Sequence, residues 1–198
     1  MLEQIAAALA HVWGEPLGPL GLAHDCPGCG STVHGAPSLV GLPPGRTALV
    51  SFTHVALPDR RGHLIRHRVG AWHIPSLHDA PERHQDARRL IQPGLGLDMV
   101  RVDEQAFADE SGLGSVAYSA AEKGWIRTFD ELEQGFARAR LWARKEALVK
   151  AAGSGFMGDP ALVDALEQAD GVRVVDLTPR TMMPGVVGSI ALSGRSTE

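Results

Sequence analysis

The chain has 198 residues, of which 44% are hydrophobic, so it can bury the core of one compact unit or of two small halves. Its formal net charge of −4 argues against a general nucleic-acid binder, which would be strongly basic. The sequence contains no apolar run long enough for a membrane span and no basic N-terminal region typical of a secretory signal. We therefore expect a globular cytoplasmic protein that binds neither membranes nor nucleic acid.

The N-terminal region contains one predicted helix and the only two cysteines. Residues 1–13 predict a short amphipathic helix that ends at a glycine. Cys26 and Cys29 form a C-x-x-C pair, which in a reducing compartment is a candidate for redox chemistry or metal binding. His24 and His34 lie nearby, but the spacing matches no standard zinc motif. A tight glycine-rich loop with two partly buried thiols is the alternative.

The middle of the chain predicts a β-hairpin. Two strand-like runs, residues 48–57 and 63–74, flank a Pro-Asp-Arg-Arg-Gly turn. Six of the nine histidines fall in this part of the chain, but their spacings fit no common metal-ligand set. Residues 80–90 could form a further helix, with a proline near its start.

The longest predicted helix carries a candidate catalytic pair. Thr128 and Glu131 fit a capping box at its start, and Gly153 fits its end. Glu146 and Lys150 are four residues apart, so the helix places them on one face. They form either a functional site or an ordinary solvated ion pair worth roughly 0.2–0.5 kcal/mol. The spacing alone does not separate these interpretations.

Strands are predicted on both sides of this helix. Residues 94–102 predict a strand before it, with Asp98 at the strand's end. A short helix at residues 159–166 and strands at 171–177 and 185–192 follow it. The order helix, hairpin, helix, strand, helix, hairpin indicates an α+β fold.

The long helix is also rich in basic residues, which could dock an acidic partner surface or merely keep the helix soluble. Five of them lie between residues 135 and 150, where the only acid is Glu146. They are Arg138, Arg140, Arg144, Lys145 and Lys150.

Two motifs resemble those of a known enzyme family. The segment from Trp142 to Gly153 resembles the W-x-x-K-E-A-x-x-K-x-x-G signature of the 4′-phosphopantetheinyl transferases and matches it at all six specified types. Upstream, the segment from Gly96 to Val100 resembles the G-[VI]-D-[IL]-x element of the same family, although larger members carry a third acid at the position of Val100. Two elements in the right order favour the functional interpretation of Glu146.

The N-terminal half resembles the larger, surfactin-type members of that family. Residues 26–37 resemble their C-x-x-C-G-x-x-x-H-G-[KR]-P segment, and residues 50–54 resemble a short strand ending in Ser-His that contacts a coenzyme A phosphate. Ala36 stands where these members carry a lysine or arginine. No lysine or arginine precedes Arg46, whereas family members tend to have basic residues near the N-terminus for the 3′-phosphate.

The resemblance implies two pseudo-symmetric α/β halves, each a small antiparallel sheet packed on a helix. Residues 1–93 would form the coenzyme A side and residues 94–198 the half with the metal and the catalytic helix, with the active site in the cleft between them. Asp98 and Glu146 would bind Mg²⁺, and Glu146 and Lys150 would be catalytic.

The implied reaction transfers 4′-phosphopantetheine from coenzyme A to a serine of an acyl- or peptidyl-carrier protein and releases adenosine 3′,5′-bisphosphate. The carrier could serve fatty acid, polyketide or nonribosomal peptide biosynthesis, and the chain length is more similar to that of the monomeric members. One of Arg60, Arg61, Arg66 and Arg68 could replace the missing phosphate cations. The residues expected to bind coenzyme A are Thr53, His54, Arg46, Lys145 and Lys150.

Two other functions remain open at this stage. The chain could be a non-catalytic protein of the same fold that binds coenzyme A or a carrier, which the alanine at position 36 would favour. It could also be a zinc-stabilised interaction module built on the C-x-x-C loop, although that interpretation leaves the long helix without a role.

Overall fold

The computed structural model describes residues 1–26, 29–75, 94–156, 158–167, 170–177 and 184–194. In these residues the chain forms an antiparallel sheet of four strands, another of three, and several helices, which is the predicted α+β class. The helices are α1 (Leu2–Trp13), α2 (Leu113–Val116), α3 (Ala120–Ile126) and α4 (Glu131–Ala151). The strands are β1 (Gly21–Asp25), β2 (Ala36–Val40), β3 (Leu49–Pro58), β4 (Leu64–His73), β5 (Gly94–Arg101), β6 (Val172–Leu177) and β7 (Val186–Ser193).

The four-stranded sheet, sheet A, has the order β1-β2-β3-β4 and carries α1. Strands β3 and β4 form the predicted hairpin, paired along their whole length. Helix α1 packs Ile5 and Leu9 against Ala48 and Val50 and ends at Gly14, whose φ of 69° a residue without a side chain adopts without strain.

The three-stranded sheet, sheet B, has the order β5-β7-β6 and carries α4 across one face. The helix lies unusually close to β5, because a Cβ placed on Gly96 would be only 1.8 Å from the carbonyl oxygen of Ala147. Gly94 has the same relation to the carbonyl of Ala151, at 1.9 Å. The small side chains of Ala147 and Ala191 fill the remaining space between helix and sheet.

Sheets A and B meet where β3 crosses β5. Val55 and Leu57 of sheet A form a buried apolar cluster with Leu97, Met99 and Val186 of sheet B. This contact places the middle of β5 beside the middle of β3, and the middle of β5 is where Asp98 lies. The division of the chain into halves at residue 93 and their pseudo-symmetry stay predictions.

Three local predictions are wrong. Helix α4 begins at Glu131 with Asp130 as N-cap, and the hydroxyl of Thr128 donates instead to the carbonyl of Trp125 at 2.7 Å. Asp98 does not end a strand, because β5 pairs with β7 as far as Arg101. The short helix predicted at residues 159–166 is a single 3₁₀ turn, Pro160–Leu162. The helix predicted at residues 80–90 lies outside the described residues.

Candidate active site

Asp98 is the centre of the candidate site and is held by donors from two other elements. Its Oδ1 accepts a hydrogen bond from the Lys150 Nζ of α4 at 2.7 Å and another from the Thr53 hydroxyl of β3 at 2.8 Å. Lys150 also donates to the carbonyl oxygen of Leu97 at 3.1 Å. The site therefore joins sheet A, sheet B and α4. Asp98 itself is only 6% exposed.

The second carboxylate oxygen of Asp98 lacks the partners that the first one has. Within the described chain, Oδ2 is buried and accepts no hydrogen bond. Buried polar atoms are almost always paired, because leaving one unpaired costs roughly 1–3 kcal/mol. An orphaned carboxylate oxygen indicates a place for a ligand that supplies positive charge or a proton.

Glu146 lies one helical turn before Lys150 and is half-buried. Burial raises the pKa of its carboxyl group, the negative charge of Asp98 raises it further, and Lys150 partly opposes this increase. The influence of Asp98 means that the two acids, distant in sequence, lie close enough to repel each other. A divalent cation between them would turn this repulsion into attraction.

His54 and two arginines form a cation patch on the outer face of the β3–β4 hairpin. His54 is exposed and pairs across the strands with Arg68, while Arg66 lies two residues further along the same face. Partial desolvation lowers the pKa of His54, and the charges of Arg66, Arg68 and Lys150 lower it further. Because the charge of Lys150 acts on His54, the cation patch lies within electrostatic reach of Lys150.

The two arginines of the cation patch are available for an anion. No carboxylate among the described residues pairs with Arg66 or Arg68. The guanidinium of Arg68 lies over the ring of Phe52, 5.0 Å from its centroid, and this contact orients the cation without neutralising it.

Arg46, also predicted to bind coenzyme A, lies elsewhere. Its guanidinium pairs with Glu15 at 3.1 Å and lies 5.4 Å from the centroid of the Trp13 ring, at the end of α1. The described residues include no contact between Arg46 and either acid of the site, so the structure does not bring it to the centre.

The arrangement of Lys145 does not support its predicted contact with coenzyme A. The residue is 0% exposed, and its ammonium group pairs with the buried Glu122 at 2.8 Å. It also donates to the carbonyl oxygens of Pro160 and Val163. Lys145 is next to Glu146 in sequence, but helix periodicity turns it about 100° away, toward the core.

Glu122 is an important residue that the sequence analysis did not identify. It completes a capping box with Ser119 at the start of α3, and its carboxylate also accepts the backbone N–H of Ala165 at 2.9 Å. The S-x-x-E pattern could have revealed the cap. The pairing with Lys145 depends on tertiary packing and left no local signal.

The basic residues of α4, which could have formed a docking face, have partners within the protein. Arg138 is buried and donates to the carbonyls of Phe107 and Ala108. Arg140 and Arg144 both pair with Asp176 of β6. Helix α4 packs against sheet B and the loops around it, and these charged side chains hold the neighbouring elements in place.

The β1–β2 hairpin reaches the end of α4. A Cβ placed on Gly153 would lie 3.8 Å from the Cβ of Ala36. Position 36, where the resembling proteins carry a cation, is therefore next to the end of the signature helix, but here it holds a methyl group.

Together, an aspartate with one unpartnered oxygen, a glutamate on which its charge acts, a lysine bound to the aspartate and a cation patch within electrostatic reach form a candidate site that could hold a divalent cation and a phosphorylated ligand. Residues 94–184 match the family model of the 4′-phosphopantetheinyl transferase superfamily. This matching part of the chain holds Asp98, Glu146 and Lys150, and the match is to the superfamily that the two motifs predicted. No curated protein matches the chain significantly. In the described residues no helix has the length and apolar character needed to cross a bilayer.

Proposed function

We propose that the protein transfers 4′-phosphopantetheine from coenzyme A to a serine of an acyl- or peptidyl-carrier protein in the cytoplasm. The superfamily match supports phosphopantetheine transfer in general. The observation that carries the more specific proposal is the buried, unpartnered Oδ2 of Asp98, whose charge also acts on the half-buried Glu146.

Asp98 and Glu146 are the residues that would hold Mg²⁺. This ion prefers oxygen ligands and commonly takes one or two carboxylates together with substrate phosphates. The orphaned oxygen of Asp98 and the repulsion between the two acids both fit such an ion. When bound, Mg²⁺ would supply positive charge that offsets the charge of the coenzyme A pyrophosphate.

Lys150 has two roles in this proposal. Its hydrogen bonds to Asp98 and to the carbonyl of Leu97 fix the orientation of the aspartate. An ammonium group has three N–H donors, so one remains for a phosphate oxygen of the substrate. Lys150 would thus hold the metal ligand and stabilise the charge that grows on the phosphate during transfer.

Glu146 is the proposed general base. The serine oxygen of the carrier forms a bond to the phosphorus that carries the pantetheine arm, and the bond from this phosphorus to the adenosine-bearing phosphate breaks. Adenosine 3′,5′-bisphosphate leaves, and the serine proton passes to the Glu146 carboxylate. Glu146 lies one helical turn before Lys150, and a carboxylate within reach of the attacking hydroxyl can accept its proton.

The cation patch of His54, Arg66 and Arg68 is the proposed binding site for a coenzyme A phosphate. Its support is the position of two arginines beside His54, neither of which pairs with a carboxylate of the described residues, and the electrostatic reach between His54 and Lys150. This patch would replace the cations that are missing at position 36 and before Arg46. Thr53, with its hydroxyl bound to Asp98, would connect this part of the site to the metal ligands.

A holo-carrier assay tests the proposal. The protein is incubated with coenzyme A, Mg²⁺ and a panel of apo-carriers from fatty acid, polyketide and peptide synthesis, and each carrier is weighed by mass spectrometry. We expect one carrier to gain the mass of phosphopantetheine. Glu146→Gln should lower the rate by about 100-fold or more, since general bases typically contribute this much. Glu133→Gln, an exposed residue of the same helix, serves as the control.

The same assay separates the alternatives. A non-catalytic protein that binds coenzyme A or a carrier is favoured by the methyl group of Ala36 beside Gly153. Coenzyme A binding without a mass gain on any carrier would support that function. A zinc-stabilised interaction module would neither bind coenzyme A nor modify a carrier. Near-wild-type rates for Glu146→Gln would remove Glu146 from the mechanism.

A further inference from the structure

A second cluster of potential metal ligands lies outside the candidate active site, at the tip of the β1–β2 hairpin. Ligand atoms of Cys26, Cys29 and His34 all lie within 4.8 Å of one another. The Sγ of Cys29 is 3.3 Å from the Nε2 of His34, and the two cysteines do not form a disulfide. Ligand atoms around a tetrahedral zinc ion are roughly 3.3–3.8 Å apart, so only a small contraction of the cluster is needed.

The backbone of the hairpin tip is folded so that it brings these side chains together. The carbonyl of Cys26 accepts hydrogen bonds from the N–H groups of Cys29 and Gly30, at 3.3 and 2.7 Å. On the return side, Gly35 has a φ of 112° and passes so close to Asp25 that a Cβ would meet its carbonyl oxygen at 2.5 Å. The tight turn and the close crossing place His34 opposite the cysteines.

His24 lies near the cluster but is not one of its three potential ligands. The Nδ1 of His24 lies 3.1 Å from the carbonyl oxygen of Gly35, which orients this ring toward the crossing of the two hairpin arms. No other described His, Cys, Asp or Glu side chain belongs to the cluster of three. The described residues therefore offer three of the four ligands of a tetrahedral ion.

We propose that Cys26, Cys29 and His34 bind one Zn²⁺ ion. Two thiolates and an imidazole are soft and borderline ligands that suit zinc and do not suit Mg²⁺, which requires oxygen. The two metal sites of the protein would therefore select different ions. Cys29 and His34 are exposed, so the ion can enter from solvent.

The expected role of this zinc ion is to hold the hairpin in place. Residue 36 lies two positions after His34, and a Cβ placed on Gly153 at the end of α4 would lie 3.8 Å from its Cβ. An ion that joins both arms of the hairpin would restrict the loop next to the candidate active site. This inference rests on the cluster geometry and does not depend on the transferase function.

Metal analysis of the intact, fully reduced protein tests the proposal. After exposure to Zn²⁺ and removal of loosely bound ions, we expect one zinc per chain by elemental mass spectrometry. With Co²⁺ in place of zinc, we expect the absorption band of thiolate-to-cobalt charge transfer. Cys29 and His34 are both exposed, so the variants Cys29→Ser and His34→Ala should fold normally by circular dichroism. Each should lose affinity for zinc by about tenfold or more. His11→Ala, an exposed histidine on α1, is the matched control.

Two results would overturn the proposal. One is a reduced wild-type protein that takes up no zinc and shows no cobalt charge-transfer band. The other is zinc binding that Cys29→Ser and His34→Ala leave unchanged, since the ion would then be bound elsewhere. The measured quantity is metal content, so failure of carrier modification would not affect the outcome.

Discussion

Glu146 carries a charge that the metal-free fold disfavours. Because burial and Asp98 raise the pKa of this carboxyl group above its unfolded value, its contribution to stability is present at low pH and is lost as the pH rises through the folded pKa. We therefore predict that Glu146→Gln raises the melting temperature of the metal-free protein at pH 7. The difference should disappear below the ordinary glutamate pKa of 4.5, where the carboxyl group is protonated in both states.

Thermal unfolding with a chelator, at a series of pH values, measures this effect. Glu133→Gln, which removes an exposed charge from the same helix, should give no such gain. Adding Mg²⁺ should stabilise the wild type more than Glu146→Gln, because only the wild type keeps both metal ligands. A lower melting temperature for metal-free Glu146→Gln at pH 7 would contradict the raised pKa.

At the scale of elements, the contact between α4 and β5 depends on glycine. Gly96→Ala would place a methyl group 1.8 Å from the carbonyl oxygen of Ala147, and backbone cannot move aside as a flexible side chain can. We predict a loss of about 1–3 kcal/mol in the free energy of unfolding, or failure to fold. Urea denaturation of the purified variant measures it.

Gly124→Ala is the matched control for this prediction. Gly124 lies in α3, and a Cβ placed on it would have no neighbouring atom within 4 Å, so the added methyl meets open space. Alanine is the better helix former, so the control should gain roughly 0.5–1 kcal/mol. Equal effects of both substitutions would show that helix and strand are not in the close contact described.

The ion pair between Lys145 and Glu122 links α4, α3 and residues 160–165. Lys145→Met leaves the Glu122 carboxylate buried and uncompensated, and we predict a loss of about 3–5 kcal/mol in unfolding free energy. Adding Glu122→Gln to this variant removes the unpaired buried charge and should recover part of the lost unfolding free energy. Urea denaturation would measure it. A double variant less stable than Lys145→Met would contradict this view.

Sequence patterns predicted some elements better than others. Apolar alternation revealed β3 and β4, and helix periodicity with a glycine stop revealed α1. Strands β1 and β2 were missed, because Gly-Leu-Ala-His-Asp and Ala-Pro-Ser-Leu-Val show no strong alternation. They are stabilised by pairing with each other, from Gly21 opposite Val40 to Asp25 opposite Ala36, and this register is a tertiary property.

At the scale of the whole molecule, the proposed substrate spans both sheets, since the acid pair involves sheet B and the cation patch lies on sheet A. Replacing Arg66 and Arg68 by alanine should raise the KM for coenzyme A about tenfold or more, because hydrogen bonds to charged groups contribute roughly 1.5–3 kcal/mol. The KM for coenzyme A that lacks its 3′-phosphate should change much less. Steady-state kinetics with both substrates measures the difference.

Arg61→Ala removes a positive charge from the exposed turn of the same hairpin, outside the cation patch. It is therefore the control for a general loss of positive charge. If it raised the KM as much as the double substitution, general attraction rather than a defined phosphate site would explain the effect. Equal changes with both substrates would place the contact on the pyrophosphate instead.

The site was partly predictable at this scale. Spacing placed Glu146 and Lys150 on one helix face, and the family motifs added Asp98, but no local pattern shows that β5 brings Asp98 to that face. The partners of Lys145 and of the arginines of α4 were not predicted, because a helix wheel does not reveal which neighbours cover each side. Position along β3 and β4, rather than any motif, brought Arg66 and Arg68 beside His54.

The way in which Asp98 is held has a consequence for metal exchange. Two donors from separate elements already occupy one oxygen of its carboxylate, so the group cannot rotate freely, and the other oxygen keeps its direction whether or not an ion is present. The proposed magnesium ion would then enter and leave without repacking either sheet. Loading should be fast and reversible, and depletion with a chelator followed by readdition should restore full activity without refolding.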